Sequence, residues 1–184
     1  MPKKMLSLLL LIGLLVPFVY NWSPQEIIPM GPSTPPKSLT KTYLVNTRTV
    51  NYDEQGILTQ IMEADRAEQY AKQKLSSLIQ PRMYSHVGED QSWSVRSDAG
   101  LYFPRRNIVA LGGGVTFVND QGQLQLNTES MKINLKKQTA ESKVAVIITQ
   151  GLATTTASGM TADLKKEIIR MKSNVESIYV PAAP

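Results

Sequence analysis

Apolar and polar positions alternate with a period of two along much of residues 42–180. That is the signature of strands, whose successive side chains point to opposite faces. The alternation also repeats. From position 97 the chain reads Ser97-Asp98-Ala99-Gly100-Leu101-Tyr102-Phe103, then Pro104-Arg105-Arg106-Asn107, then Ile108-Val109-Ala110-Leu111. The same order returns in Met131-Lys132-Ile133-Asn134-Leu135 before Lys136-Lys137-Gln138, and in Met160-Thr161-Ala162-Asp163-Leu164 before Lys165-Lys166-Glu167. A weaker copy lies upstream, from Ala64-Asp65-Arg66-Ala67 to Lys72-Gln73-Lys74. Each copy is a strand-like run, a two-cation turn and a second strand-like run, at a spacing of about thirty residues, within the range of repeat architectures.

Aligning the copies sets a register. The first arms match Gly100 and Tyr102 with Met131 and Ile133 and with Met160 and Ala162, while Leu101, Lys132 and Thr161 fall between. The second arms match Val109 and Leu111 with Ala140 and Ser142 and with Ile169 and Met171; one copy back, this column reaches Ser76 and Leu78. One parity stays mostly apolar through the copies, which predicts an antiparallel stack of hairpin-like units around a shared apolar interior. Residues 63–74 are rich in helix formers, yet the register predicts strand there. The remaining pattern predicts strands over 42–50, 57–62 and 175–180, a turn over 51–56, a loop over 86–91 containing His86, and a central strand over 144–148, apolar on both faces. Pro81 belongs at a strand edge or bulge.

Ahead of the repeats stand Lys3 and Lys4 and an apolar run over 5–22, eighteen residues long. As a helix this run spans about 27 Å, against a hydrocarbon core of about 30 Å. It predicts an uncleaved anchor with the N-terminus in the cytoplasm. A cleaved signal peptide would need a small-x-small site, and Pro17-Phe18-Val19-Tyr20-Asn21-Trp22 supplies none. Residues 23–40 hold Pro24, Pro29, Pro32, Pro35 and Pro36, a semi-rigid extended linker. The expected organisation is therefore an anchor over 1–22, a linker over 23–40, a β domain over 41–180 and a short tail over 181–184.

Composition narrows the chemistry. The chain has 184 residues, 42% of them hydrophobic, and a net charge of +5, enough for one domain with a real core. The cations are spread, with doublets at predicted turns that read as solvated turns or as a mild preference for anionic partners such as phosphorylated lipid; with no aromatic stripe between them, a nucleic-acid surface is not indicated. There is no cysteine and only one histidine, which removes disulfides, thiolate metal sites and cysteine nucleophiles. Gly112-Gly113-Gly114 lacks the lysine and helix of a phosphate loop and reads instead as a bulge or kink. Asp53-Glu54 and Glu89-Asp90 are adjacent acids in turns. No catalytic constellation, metal set or cofactor site emerges.

These features resemble the LptC family of single-span components of lipopolysaccharide export. The resemblance rests on Trp93-Ser94-Val95-Arg96-Ser97-Asp98-Ala99, Leu126-Asn127-Thr128-Glu129, Gly151, Gly159-Met160-Thr161-Ala162-Asp163-Leu164 and Val175-Glu176-Ser177-Ile178-Tyr179, in that order behind the anchor. It implies an all-β fold, a twisted antiparallel β-jellyroll (OstA-like) open along one side. It implies an inner-membrane protein whose main domain is periplasmic and which is not an enzyme. Lipopolysaccharide would pass from an inner-membrane ABC transporter, through an apolar groove, to the periplasmic bridge protein LptA. Carried over by position, the groove includes Thr47, Leu78, Ile169 and Tyr179; the register adds Leu111 and Met171. Gly113 and Gly151 fall at structural positions, and Ile178, Tyr179 and Val180 form the edge expected to dock the bridge protein. A polysaccharide-binding module and a solid structural bridge are the alternatives.

Overall fold

The computed structural model describes residues 40–70, 74–87, 90–119 and 123–179. The expected anchor, nearly all of the linker, the tail and Val180 lie outside them. The alternating runs form fourteen strands. In chain order these are β1 (Thr40–Tyr52), β2 (Leu58–Tyr70), β3 (Leu75–Ile79), β4 (Arg82–Val87), β5 (Asp90–Arg96), β6 (Ala99–Phe103), β7 (Ile108–Asn119), β8 (Leu124–Asn134), β9 (Thr139–Ser142), β10 (Val146–Gln150), β11 (Ala153–Ala157), β12 (Gly159–Asp163), β13 (Ile168–Lys172) and β14 (Glu176–Tyr179). Residues 63–70 are strand, as the register predicts, because β2 finds ladder partners on both sides and tertiary pairing outweighs helix propensity.

Pairing divides the strands into two facing layers. Residues 66–70 of β2 pair with β3, which leads through β6 to the first half of β7 and the second half of β8, then to β9, β12 and β13. Residues 60–63 of β2 pair with β4, which leads through β5 to the second half of β7 and the first half of β8, then to β10, β11 and β14. We call these the A and B layers. The long strands β2, β7 and β8 belong to both, and β1 lies along β2 over its full length. Every passage between layers falls on one side of the molecule, a spine. Among the described residues, the hairpin turns fall on the opposite side, at one of two lips.

At the spine the side-chain alternation must be interrupted, because a strand that bends sharply loses a residue from its ladder. In β8 the inward positions are 126 and 128 in the B layer but 131 and 133 in the A layer. The facing β7 keeps 109, 111, 115 and 117 inward by inserting an extra residue. Gly112 pairs with Ser130 and Val115 with Thr128, so Gly113 and Gly114 both oppose Glu129. Their φ angles are +77° and +80°, a region glycine enters without steric cost. This accounts for the triple glycine. Backbone groups left outside the ladders pair along the spine: the Gln80 amide donates to the Asp98 carbonyl at 2.8 Å and the Asp98 amide to the Gly113 carbonyl at 3.4 Å. Buried hydroxyls also take up spine carbonyls, Thr128 donating to the Ala145 carbonyl at 2.8 Å and Ser142 to the Val144 carbonyl at 3.0 Å.

Apolar side chains from both layers meet between them. Met83, Val95, Phe117, Leu126 and Ile148 come from the B layer, and Val109, Leu111, Met131, Ile133, Met160 and Ala162 from the A layer. Three expectations change. His86 lies in β4 opposite Gln91, with a register shift beside it, because β4 and β5 extend further than the local polar composition suggests. Leu101, on the parity read as mostly polar, is 9% exposed. Residues 146–148 do sit in a strand paired on both sides, but Ile147 is 47% exposed. Only one face of that strand is covered, since the sheet has a single packed interior.

A Cβ at Gly159 would lie 2.8 Å from the Ser142 carbonyl oxygen, whereas one at Gly114 would meet nothing within 4 Å. Gly159→Ala should therefore destabilise the domain by about 1–3 kcal/mol, measured by urea unfolding, and by more than Gly114→Ala, which carries only the backbone penalty. On the outer face, Glu141 accepts from Lys172 at 2.9 Å and pairs with Lys132 at 3.3 Å. The hydrogen bond from Lys172, ahead of that from Lys132, lowers its pKa below the ordinary carboxylate value. The contribution is then present above the unfolded-state pKa and is lost as pH falls through the lower folded-state value. Glu141→Gln should remove it, costing less than about 1 kcal/mol at neutral pH for so exposed a cluster and nothing once the carboxylate is protonated. Unfolding midpoints at two pH values check this.

Candidate lipid groove

The interior is not closed at the lips. A cavity of about 230 Å³ lies between the layers, walled by Trp93, Phe117, Leu124 and Leu126 of the B layer and by Ala140, Met160, Ala162, Leu164 and Ile169 of the A layer. Its polar groups are Asn119, Gln150, Asp163 and Glu167, all close to the turns. A second space of about 90 Å³ shares Trp93 and Leu164 with the first and continues between Thr59, Gln60 and Ser85 on one side and Ile133, Leu135 and Gln138 on the other. Together they trace a groove running across the strands, just inside the lips. Trp93 and Phe117 stack on its floor with centroids 5.6 Å apart.

Ladder register explains why these residues meet. Met62, Met83, Val95, Phe117, Leu126 and Ile148 are directly opposed partners from strand to strand, so their side chains share one face. The row nearer the lip runs through Gln60, Ser85 and Trp93, and then through Leu124, Gln150, Ala153 and Tyr179. In the A layer, Leu78 opposes Gly100, which opposes Leu111, which opposes Met131. Met160 opposes Met171, and Ala162 opposes Ile169.

The residues expected in the groove occupy different depths. Ile169 lines the cavity itself. Leu111 and Leu78 are 2% and 4% exposed, deep in the A layer toward the spine. Met171 is half-buried against the core at the strand that ends that layer. Thr47 shares the ladder position of Ala64, to whose carbonyl it donates at 3.3 Å. Tyr179 is 68% exposed on β14, on the same face as Leu124 and Gln150. Gly113 makes the β7 bulge, and Gly151, with φ of +57°, turns β10 into β11. Ile178 is 66% exposed and points the other way from Tyr179, as neighbours on a strand must.

The residue-by-residue reading missed the B-layer wall. Trp93, Phe117, Leu124 and Leu126 alternate inward in the sequence, but no cationic turn marks their hairpins, so the repeat did not align them. It also missed that the open end has two edges. Among the described residues, β13 pairs only with β12 and β14 only with β11. Among the described residues there is also no cluster of acids and histidine suited to a metal, and no helix long and apolar enough to cross a membrane.

The sequence profile of the family described as "Lipopolysaccharide-assembly, LptC-related" matches residues 8–180. No curated protein sequence matches the chain. Among solved structures, the chain is similar to LptH of Pseudomonas aeruginosa, described as the LptA-homologous periplasmic component of that organism's lipopolysaccharide transport device. The TM-score is 0.53 at 11% identity, over 66% of this chain and 95% of that one. At that identity the likeness concerns the fold alone, an antiparallel β-jellyroll. A profile match over nearly the whole length carries more: the chain belongs to the LptC-related family of lipopolysaccharide-assembly proteins, and its role is in lipopolysaccharide transport.

Proposed function

We propose that the space between the two layers carries the acyl chains of lipopolysaccharide, taken from an inner-membrane ABC transporter and released to the bridge protein LptA. The observation that carries this is the groove itself, apolar within and polar near the turns. Hiding acyl chains from water is worth about 0.8 kcal/mol per CH₂, and apolar walls supply that without a directional site that would hold the cargo back. The main cavity, at about 230 Å³, is smaller than the roughly 300–1,000 Å³ of ordinary ligand pockets. A multi-acyl lipid therefore requires the lips to part, with the spine as hinge. Residues 1–22 anchor the domain in the inner membrane with the N-terminus cytoplasmic, and residues 23–40 space it from the bilayer.

The ends of the stack suit relay. At one end, β13 and β14 close the two layers as unpaired edges, so a second jellyroll could add a strand to each and continue the groove. At the other, β1 offers Tyr43, Leu44 and Val45, each more than half exposed, toward the transporter. Main-chain pairing dominates such docking. Ending the chain at Asn174 should leave a folded domain that no longer retains LptA in a pull-down, whereas Ile178→Ala should weaken retention only modestly. Full retention by the truncated chain would place the docking edge elsewhere.

Two predictions address the groove. A photo-crosslinker at Ile169 should capture lipopolysaccharide and one at Lys132, on the outer face, should not; equal capture would mean that the interior is not the path. The Asn119 amide of one lip donates to the Glu167 carboxylate of the other at 3.4 Å. In this cysteine-free chain, joining Asn119→Cys to Glu167→Cys with a short thiol crosslinker should abolish capture at Ile169, while the same double variant left unlinked should retain it.

A further inference from the structure

The A-layer hairpin loops share one length. Strand pairing closes at Tyr70–Leu75, Phe103–Ile108, Asn134–Thr139 and Asp163–Ile168, so each loop has four residues. Each ends on a residue of positive φ: Lys74, Asn107, Gln138 and Glu167. Asn134 and Asp163 accept the amides of Lys137 and Lys166 at 2.8 and 3.0 Å, fixing the third and fourth turns alike. The turns also bond to one another. The Leu135 amide donates to the Asn107 carbonyl and the Leu164 amide to the Gln138 carbonyl, both at 2.8 Å. The last three turns are thus held in line along one lip, two strand spacings or about 10 Å apart.

Each of the last three turns carries a cationic doublet: Arg105 and Arg106, Lys136 and Lys137, Lys165 and Lys166, all exposed. Lys74 ends the first turn. The opposing lip, where it is described, carries no cation: its β1–β2 turn holds Asp53 and Glu54, and its β10–β11 turn Gly151 and Leu152. Successive doublets lie within about one Debye length of each other at 0.1 M salt, so their fields add along the rim. Lys166 also pairs with Asp163 of its own turn at 3.6 Å, with its side chain 70% exposed, and among the described turns the cationic doublets sit on one side of the apolar groove only.

We propose that the A-layer lip is a phosphate rail: the cationic turns hold the phosphates of the lipopolysaccharide head while its acyl chains lie between the layers. This rests on the carrier reading above. The rail is a series of equivalent, weak, regularly spaced stations, so the head is passed from one turn to the next as the chains advance through the groove. Exposed lysine–phosphate contacts of this kind are individually modest and screened by salt, which suits transfer rather than retention.

The test uses the full chain in mild detergent with a photo-crosslinker at Ile169, titrated with lipid A and with the same lipid stripped of its phosphates. Lys136→Gln/Lys137→Gln/Lys165→Gln/Lys166→Gln should raise the lipid A concentration for half-maximal capture by about tenfold at low salt. The difference should shrink at high salt and be absent for the dephosphorylated lipid. Arg96→Gln/Lys143→Gln, which removes two cations near the spine, should change neither. An unchanged titration, or an equal loss with both lipids, would overturn the rail while leaving the groove. Capture of neither lipid by the unsubstituted lip would remove the carrier reading and the rail with it. Competition by phosphatidylglycerol as effective as by lipid A would mean that the lip recognises bilayer headgroups rather than cargo, and would overturn the assignment.

Discussion

Strands that belong to two layers at once are the constraint on which this domain depends. Because β2 and β7 pair with different partners in their two halves, the layers cannot separate at the spine without breaking ladders in both. At the lips they are joined by far less. The molecule is therefore stiff along one side and separable along the other, by topology rather than by any single contact. A solid β-sandwich would be sealed on both sides. Here the spine carries the buried hydroxyls, the irregular backbone and the glycine bulge, and the lips are left to turns and polar side chains.

The same arrangement explains where the chemistry sits. Ladder partners share a face, so apolar residues at alternate positions become continuous rows across the strands, and such rows make an extended groove rather than a pocket. Its polar groups gather near the turns, where water reaches them. The two open edges, β13 and β14, stand at the same end because each layer terminates independently. A groove built this way has no intrinsic end, which suits a protein that receives a cargo and passes it on.

Much of this was legible in the sequence, for an identifiable reason. The A-layer hairpins repeat a motif, and aligning Met131, Met160 and Gly100 placed their faces correctly; Ile169 followed from that alignment. The helix-forming composition of residues 63–70 was overridden for the same reason. What stayed hidden was the second layer. β7 and β8 read as hairpin arms, and nothing local announces that residues 108–112 and 116–118 pair with different strands. The parity change in β8 between Thr128 and Met131 also breaks any simple alternation. Trp93, Phe117 and Leu124 were visible as apolar residues but not as the opposite wall. The shared turn conformation was equally obscure, since Gln138, Glu167 and Lys74 adopt positive φ without being glycine.

The central claim is that the layers part at the lips and not at the spine when cargo enters. In the cysteine-free chain, spin labels at Gln123 and Ile168 report across the lips, and labels at Lys143 and Val175 report along the spine. Pulsed electron resonance distances should lengthen by several ångströms for the lip pair when lipopolysaccharide is added, with the spine pair unchanged. A lip distance that stays constant at saturating lipid, or a spine distance that lengthens with it, would contradict the account.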